Sequence, residues 1–124
     1  MFKEKLNKKL VAALQEYGIE SPTDLQTKSL SKINSGADVI GIGPVNAGKS
    51  TLILISVIHK LKDAFEDAPR ALILVADMAS AIAMKQQFDF LAEGTSLRCE
   101  MAFEEGKINE QNEAIYSGTD IVIG

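Results

Sequence analysis

Gly43-Pro44-Val45-Asn46-Ala47-Gly48-Lys49-Ser50 is the stretch that decides the fold. It fits G-x-x-x-x-G-K-[ST], the pattern of a phosphate-binding P-loop. On its amino-terminal side the apolar run Val39-Ile40-Gly41-Ile42 reads as a buried strand. On its carboxyl-terminal side an apolar stretch from Lys49 to about Phe65 reads as a helix. Strand, glycine loop, helix is the order this chemistry needs. Backbone N–H groups of the loop and of the first helical turn wrap a phosphate, and the helix dipole favours its negative charge. Val45, Asn46, Ala47, Gly48, Lys49, Ser50 and Thr51 form the expected phosphate-wrapping set. Within it Lys49 reaches the β- and γ-phosphates, and the Ser50 hydroxyl holds Mg²⁺. These two are the candidate catalytic residues, and Ser50 is the candidate metal ligand.

The remaining chain alternates helices and strands. Leu6, Leu10, Ala13, Leu14 and Tyr17 recur at helical spacing, so a helix is expected over 3–17, ended by Gly18. Ser21 is the expected N-cap of a second helix, with Pro22 at its first position, Asp24 in its first turn and Gly36 at its close. The helix after the P-loop is apolar nearly all round and should be deeply buried. Ala71-Leu72-Ile73-Leu74-Val75 is a continuous apolar run, as in a strand covered on both faces. A helix over about 79–93 follows. Leu97, Cys99, Met101 and Phe103 then alternate with Arg98, Glu100 and Ala102, which reads as a half-exposed strand near a sheet edge. Residues 107–117 are weakly helical, and Ile121-Val122-Ile123 is a short buried strand. The class is α/β, a parallel sheet flanked by helices.

Bulk properties exclude several classes. The 124 residues suffice for one structural domain, and a net charge of −4 argues against a strongly basic nucleic-acid surface. One cysteine, Cys99, rules out an internal disulfide and fits a reducing compartment. Without a signal-like segment or an apolar run near 20 residues, a cytoplasmic chain with no membrane partner is expected. His59 has no partner pattern, Cys99 reads as an inert core thiol, and Glu104, Glu105, Glu110 and Glu113 read as a solvated face.

Upstream of the P-loop lies Tyr17-Gly18-Ile19-Glu20-Ser21-Pro22-Thr23-Asp24-Leu25-Gln26. Aromatic, glycine, then P-T-x-[LI]-Q resembles the Q motif of DEAD-box RNA helicases, at about the family's interval before the P-loop. Asp120-Ile121-Val122-Ile123-Gly124 resembles the strand before the family's T-P-G-R loop. The resemblance implies a P-loop NTPase of RecA-like fold, here as an incomplete first lobe. It implies a Q-motif helical region over 1–36 and a partial RecA-like domain over 37–124. It also implies ATP or ADP with Mg²⁺ as ligands. Gln26 would read adenine, since an amide offers one donor and one acceptor to the N6/N7 edge. Phe2, an aromatic upstream, would stack on the base.

The sequence also departs from the family. In the usual A-x-T-G-x-G-K-T, Val45 stands for the Thr and Asn46 for a Gly. Asn tolerates left-handed backbone, so Asn46 can hold the loop geometry. Pro44 lacks an N–H, a donor dispensable early in the loop. The P-T-R-E-L-A segment, an RNA-backbone contact in the family, falls on Ala76-Asp77-Met78-Ala79-Ser80-Ala81, and the Gly-Gly element falls on Glu104-Glu105. Both changes oppose phosphate contact, so RNA binding is expected to be weak here and to come through a longer protein. The Walker-B carboxylates, the S-A-T element and the second lobe lie beyond Gly124 in the family. This piece is therefore expected to bind ATP without turning it over, as the amino-terminal portion of an ATP-dependent RNA helicase. The alternative is a degenerate ATP-binding domain acting as a regulatory or scaffolding module. A P-loop kinase or GTPase is disfavoured by the Gln motif. In the family's lobe, strands from the later segment lie beside the P-loop strand. Val39–Ile42 should therefore have unpaired edges, open to self-association by edge pairing.

Overall fold

The computed structural model describes residues 6–124, so Phe2 lies outside the described residues. Contacts divide the chain into two compact units, Met1–Lys60 and Leu61–Gly124.

The first unit carries α1 (Lys8–Glu16), α2 (Asp24–Asn34) and most of α3 (Lys49–Leu61). Asn7 caps α1, its Oδ1 accepting from the Leu10 N–H at 2.9 Å. Leu10, Val11 and Leu14 bury one face of that helix. Gly18 ends it with φ +96°, a left-handed residue where glycine has no Cβ to strain. The start of α2 differs from expectation. Its N-cap is Thr23, not Ser21, and Pro22 precedes the helix. The cause is a capping box. The Gln26 N–H donates to Thr23 Oγ1 at 3.3 Å, and the Thr23 N–H donates to Gln26 Oε1 at 3.0 Å. Two helix-start donors are thereby satisfied reciprocally.

Helix α3 buries Thr51, Leu52, Leu54, Ile55, Ser56 and Ile58. It stops at Leu61 rather than near Phe65, because Lys62 turns left-handed at φ +66°. The expected strand before the P-loop is a larger correction. Residues 39–42 form no strand, and Ile40 and Ile42 are 90% and 88% exposed. An apolar run of high β-propensity becomes a strand only against a partner ladder, and none of the described strands pairs with it.

The second unit is a three-stranded parallel sheet, β1 (Ala71–Ile73), β2 (Cys99–Met101) and β3 (Ile121–Ile123), in the order β1-β3-β2. Helix α4 (Met78–Leu91) packs on β2 and β3, and α5 (Ile108–Tyr116) packs on β2. Central β3 is buried throughout, and β2 lies at an edge with all three of its residues half-buried. Burial pushes the Cys99 thiol up to about 12, so it stays protonated and unreactive. Residues 71–75 are not covered on both faces. Ile73 is buried, but Leu72 and Leu74 are 65% and 76% exposed.

One cluster sets the amino ends of all three strands. Arg70, Arg98 and Asp120 each directly precede a strand. Asp120, fully buried, accepts from Arg70 Nη2 at 2.9 Å, Arg98 Nε at 3.1 Å and the Arg98 N–H at 2.9 Å. Its backbone carbonyl accepts from the N–H groups of Arg70 and Ala71. One carboxylate thus holds both outer strands to the central one.

Candidate phosphate-binding site

The loop over 43–48 is built on two left-handed residues, Asn46 at φ +68° and Gly48 at φ +80°. The Ala47 N–H closes a turn onto the Pro44 carbonyl at 3.2 Å. Alternating hand turns successive N–H groups toward one side, the backbone nest that binds anions. Among the described residues, the N–H groups of Val45, Asn46, Gly48, Lys49 and Ser50 donate to no backbone or side-chain acceptor. They are the loop's own donors plus the orphan donors of the α3 start.

The start of α2 braces this loop. Thr23 Oγ1 donates to the Ala47 carbonyl at 2.7 Å, and Gln26 Nε2 donates to the Gly48 carbonyl at 3.1 Å. That second carbonyl also accepts from the Leu52 N–H, opening the α3 ladder. A Cβ on Gly48 would lie 2.3 Å from Gln26 Nε2. Positive φ and a buried amide therefore both require glycine there. Gln26 is 2% exposed. Its amide spends one hydrogen on Gly48 and one lone pair on the Thr23 N–H, leaving one of each. Sequence reasoning missed Thr23 as a site residue, although T-x-x-Q is a visible capping-box signature.

Lys49 is exposed at the first position of α3, and its Nζ donates to the Gly43 carbonyl at 2.8 Å. The ammonium is thus folded over the mouth of its own loop. The Ser50 side chain is exposed in the same helical turn and bonds no other described residue. Thr51 is buried. Val45 and Asn46 project at the loop tip, both exposed. Beside the loop, a hollow of about 370 Å³ is lined by Thr23, Lys28, Gly43, Pro44 and Ala47, among others.

The second unit has a separate crevice of about 240 Å³ at the carboxyl ends of its strands. Asp77, Met78, Glu104 and Glu105 line it, and no basic side chain does. Asp77 caps α4, accepting from the Ser80 N–H at 2.8 Å, and this bond holds its carboxyl below the usual range.

Glycine-rich turn, left-handed nest, exposed lysine and serine at a helix start, and a parallel sheet define a P-loop protein of the RecA-like α/β class. Comparison with known proteins narrows the class to one family. The DEAD/DEAH box helicase model matches residues 23–124, and the chain belongs to that family. The ATP-dependent RNA helicase RhlB of Actinobacillus succinogenes is 32% identical over 123 residues, covering 96% of this chain and 30% of that protein. RhlB of Pasteurella multocida is also 32% identical, over 96% of this chain and 29% of that protein. The chain thus spans about a third of the relatives it matches. Among solved structures, a DEAD box protein from Methanococcus jannaschii superposes with a TM-score of 0.86 at 22% identity, over 96% of this chain and 32% of that one. The RNA helicase Prp28 from Chaetomium thermophilum, bound to ADP, gives 0.79 at 20% identity, over 95% and 30%. No helix among the described residues is long and apolar enough to cross a membrane.

Proposed function

We propose that this chain supplies the phosphate-cradling and base-reading portion of the ATP site of an ATP-dependent RNA helicase. The observation that carries the reading is the set of five N–H groups at 45, 46 and 48–50 with no acceptor among the described residues, in a loop braced by Thr23 and Gln26. These donors and Lys49 bind the polyphosphate of ATP or ADP. On binding, the ammonium exchanges the Gly43 carbonyl for phosphate oxygens. Mg²⁺ fits the same turn. It binds through few protein ligands and keeps phosphate and water oxygens, and the free Ser50 hydroxyl is such a ligand. Phe2 is assigned to stacking on the base. The family match favours this reading over a degenerate regulatory module. ATP hydrolysis and RNA strand separation are proposed for the whole protein.

The remaining hydrogen and lone pair of Gln26 suit the N7 and N6 edge of adenine. The chain therefore binds ADP more tightly than GDP. Gln26→Ala costs about 1–3 kcal/mol of ADP binding, from an unpaired base edge and a loosened Gly48. Calorimetric titration checks both, and equal affinity for ADP and GDP removes the Gln26 assignment.

RNA is expected to bind this chain only weakly. The charge is −4, and the strand-end crevice carries three carboxylates. Fluorescence anisotropy with a single-stranded RNA should give a Kd above about 1 µM, the tight end of non-specific binding at physiological salt. A submicromolar value would reveal a basic surface that these residues do not offer.

A further inference from the structure

Pro44 brings no N–H to the start of the loop, where any other residue would. Two residues on, Asn46 occupies the left-handed region at φ +68°, where glycine is the residue with no steric cost. Asn is tolerated there, but tolerance does not explain its presence. Its amide is exposed at the loop tip and bonds no other described residue. It therefore does not brace the turn, which the Ala47 N–H to Pro44 carbonyl bond already closes. It does not satisfy the loop N–H groups either, since those remain without acceptors. The side chain thus stands on the residue between the Val45 and Ala47 positions of the nest, with both amide hydrogens available.

We propose that the Asn46 side chain is itself a polyphosphate ligand. Its Nδ2 donates to a terminal phosphate oxygen of a nucleoside diphosphate or triphosphate. This rests on the nucleotide-site reading above and adds a side-chain contact to it. The role is specific to the phosphates, so it makes Asn46 a determinant of how strongly the site prefers ADP or ATP to AMP.

Two substitutions isolate the amide, because both keep the backbone. Asn46→Gly adopts φ +68° freely and removes only the side chain. Asn46→Asp keeps the size and the tolerance of left-handed backbone but replaces donors with a negative charge. Binding of ADP and AMP by the parent chain and both variants is measured by isothermal titration. Asn46→Gly should weaken ADP about 10-fold, the scale of one hydrogen bond to a charged group. It should leave AMP unchanged. Asn46→Asp should weaken ADP further than Asn46→Gly. If Asn46→Gly binds ADP as tightly as the parent, or loses ADP and AMP affinity by the same factor, the ligand role is overturned. A parent chain that binds no ADP would instead overturn the nucleotide-site reading itself.

Discussion

Lys49→Ala is expected to abolish measurable ADP binding while leaving the fold in place. The side chain is exposed, and its one hydrogen bond closes back onto the Gly43 carbonyl of the same loop. Such a contact contributes little to stability, and alanine is the better helix former at the first position of α3. The unfolding free energy should therefore change by no more than about 0.5 kcal/mol. The ligand's loss is of another order. A primary ammonium against two phosphate oxygens makes charge-assisted bonds, each worth about 1.5–3 kcal/mol. Losing one to two of them lowers affinity by roughly 100-fold or more. Titration with ADP, beside urea unfolding monitored by circular dichroism, separates the two effects. A variant that binds ADP with unchanged affinity would mean that the loop is not a functional site.

How far the sequence carried this depends on the range of the interactions involved. The P-loop and the glycine end of α1 at Gly18 are local. They are set by residues within three or four positions of one another, so they are legible in the chain. β2 does lie at an edge, but its residues are uniformly half-buried, so the apolar alternation over 97–103 did not translate into one covered face. The strand before the P-loop was not legible. Val39–Ile42 has the composition of a buried strand, but composition states only that a run would pair if a partner were present. The partner is a matter of topology. Leu72 and Leu74 failed for the same reason, since an apolar side chain does not specify what covers it. At the site, residue identity nominates Gln26 and Lys49 as ligand contacts, while the bracing role of Thr23 depends on a contact 24 residues away. The departures at Asp77 and Glu104-Glu105 were legible as charge. The crevice that assembles them required the order of the strands.

The Arg70–Asp120–Arg98 cluster carries the largest stability effect, and it acts far in sequence from the P-loop. Asp120→Ala leaves two guanidinium groups at the starts of β1 and β2 without their shared carboxylate. Removing one partner of a buried pair costs about 3–5 kcal/mol. The arginine side chains are 24% and 34% exposed, so solvent relieves part of that. About 2–3 kcal/mol is the expected loss, against roughly 10 kcal/mol for a domain of this size. The pH dependence gives an independent check. Burial alone would raise the Asp120 pKa. Hydrogen bonds from the Arg98 guanidinium and N–H, from Arg70 and from the Phe65 N–H outweigh burial and lower it from 3.8 to about 2. A carboxyl with a depressed folded-state pKa binds its proton more readily when unfolded. Its contribution is therefore full above the unfolded value near 3.8 and is lost as pH falls toward 2. A shift of this size corresponds to about 2 kcal/mol. Urea unfolding of the parent chain should accordingly lose stability between pH 4 and pH 2 (approximate bounds set by the two pKa values). Asp120→Asn should start less stable and be flatter across that window by the same amount. Parallel pH curves for the two proteins would show that the carboxylate does not hold the strand starts together.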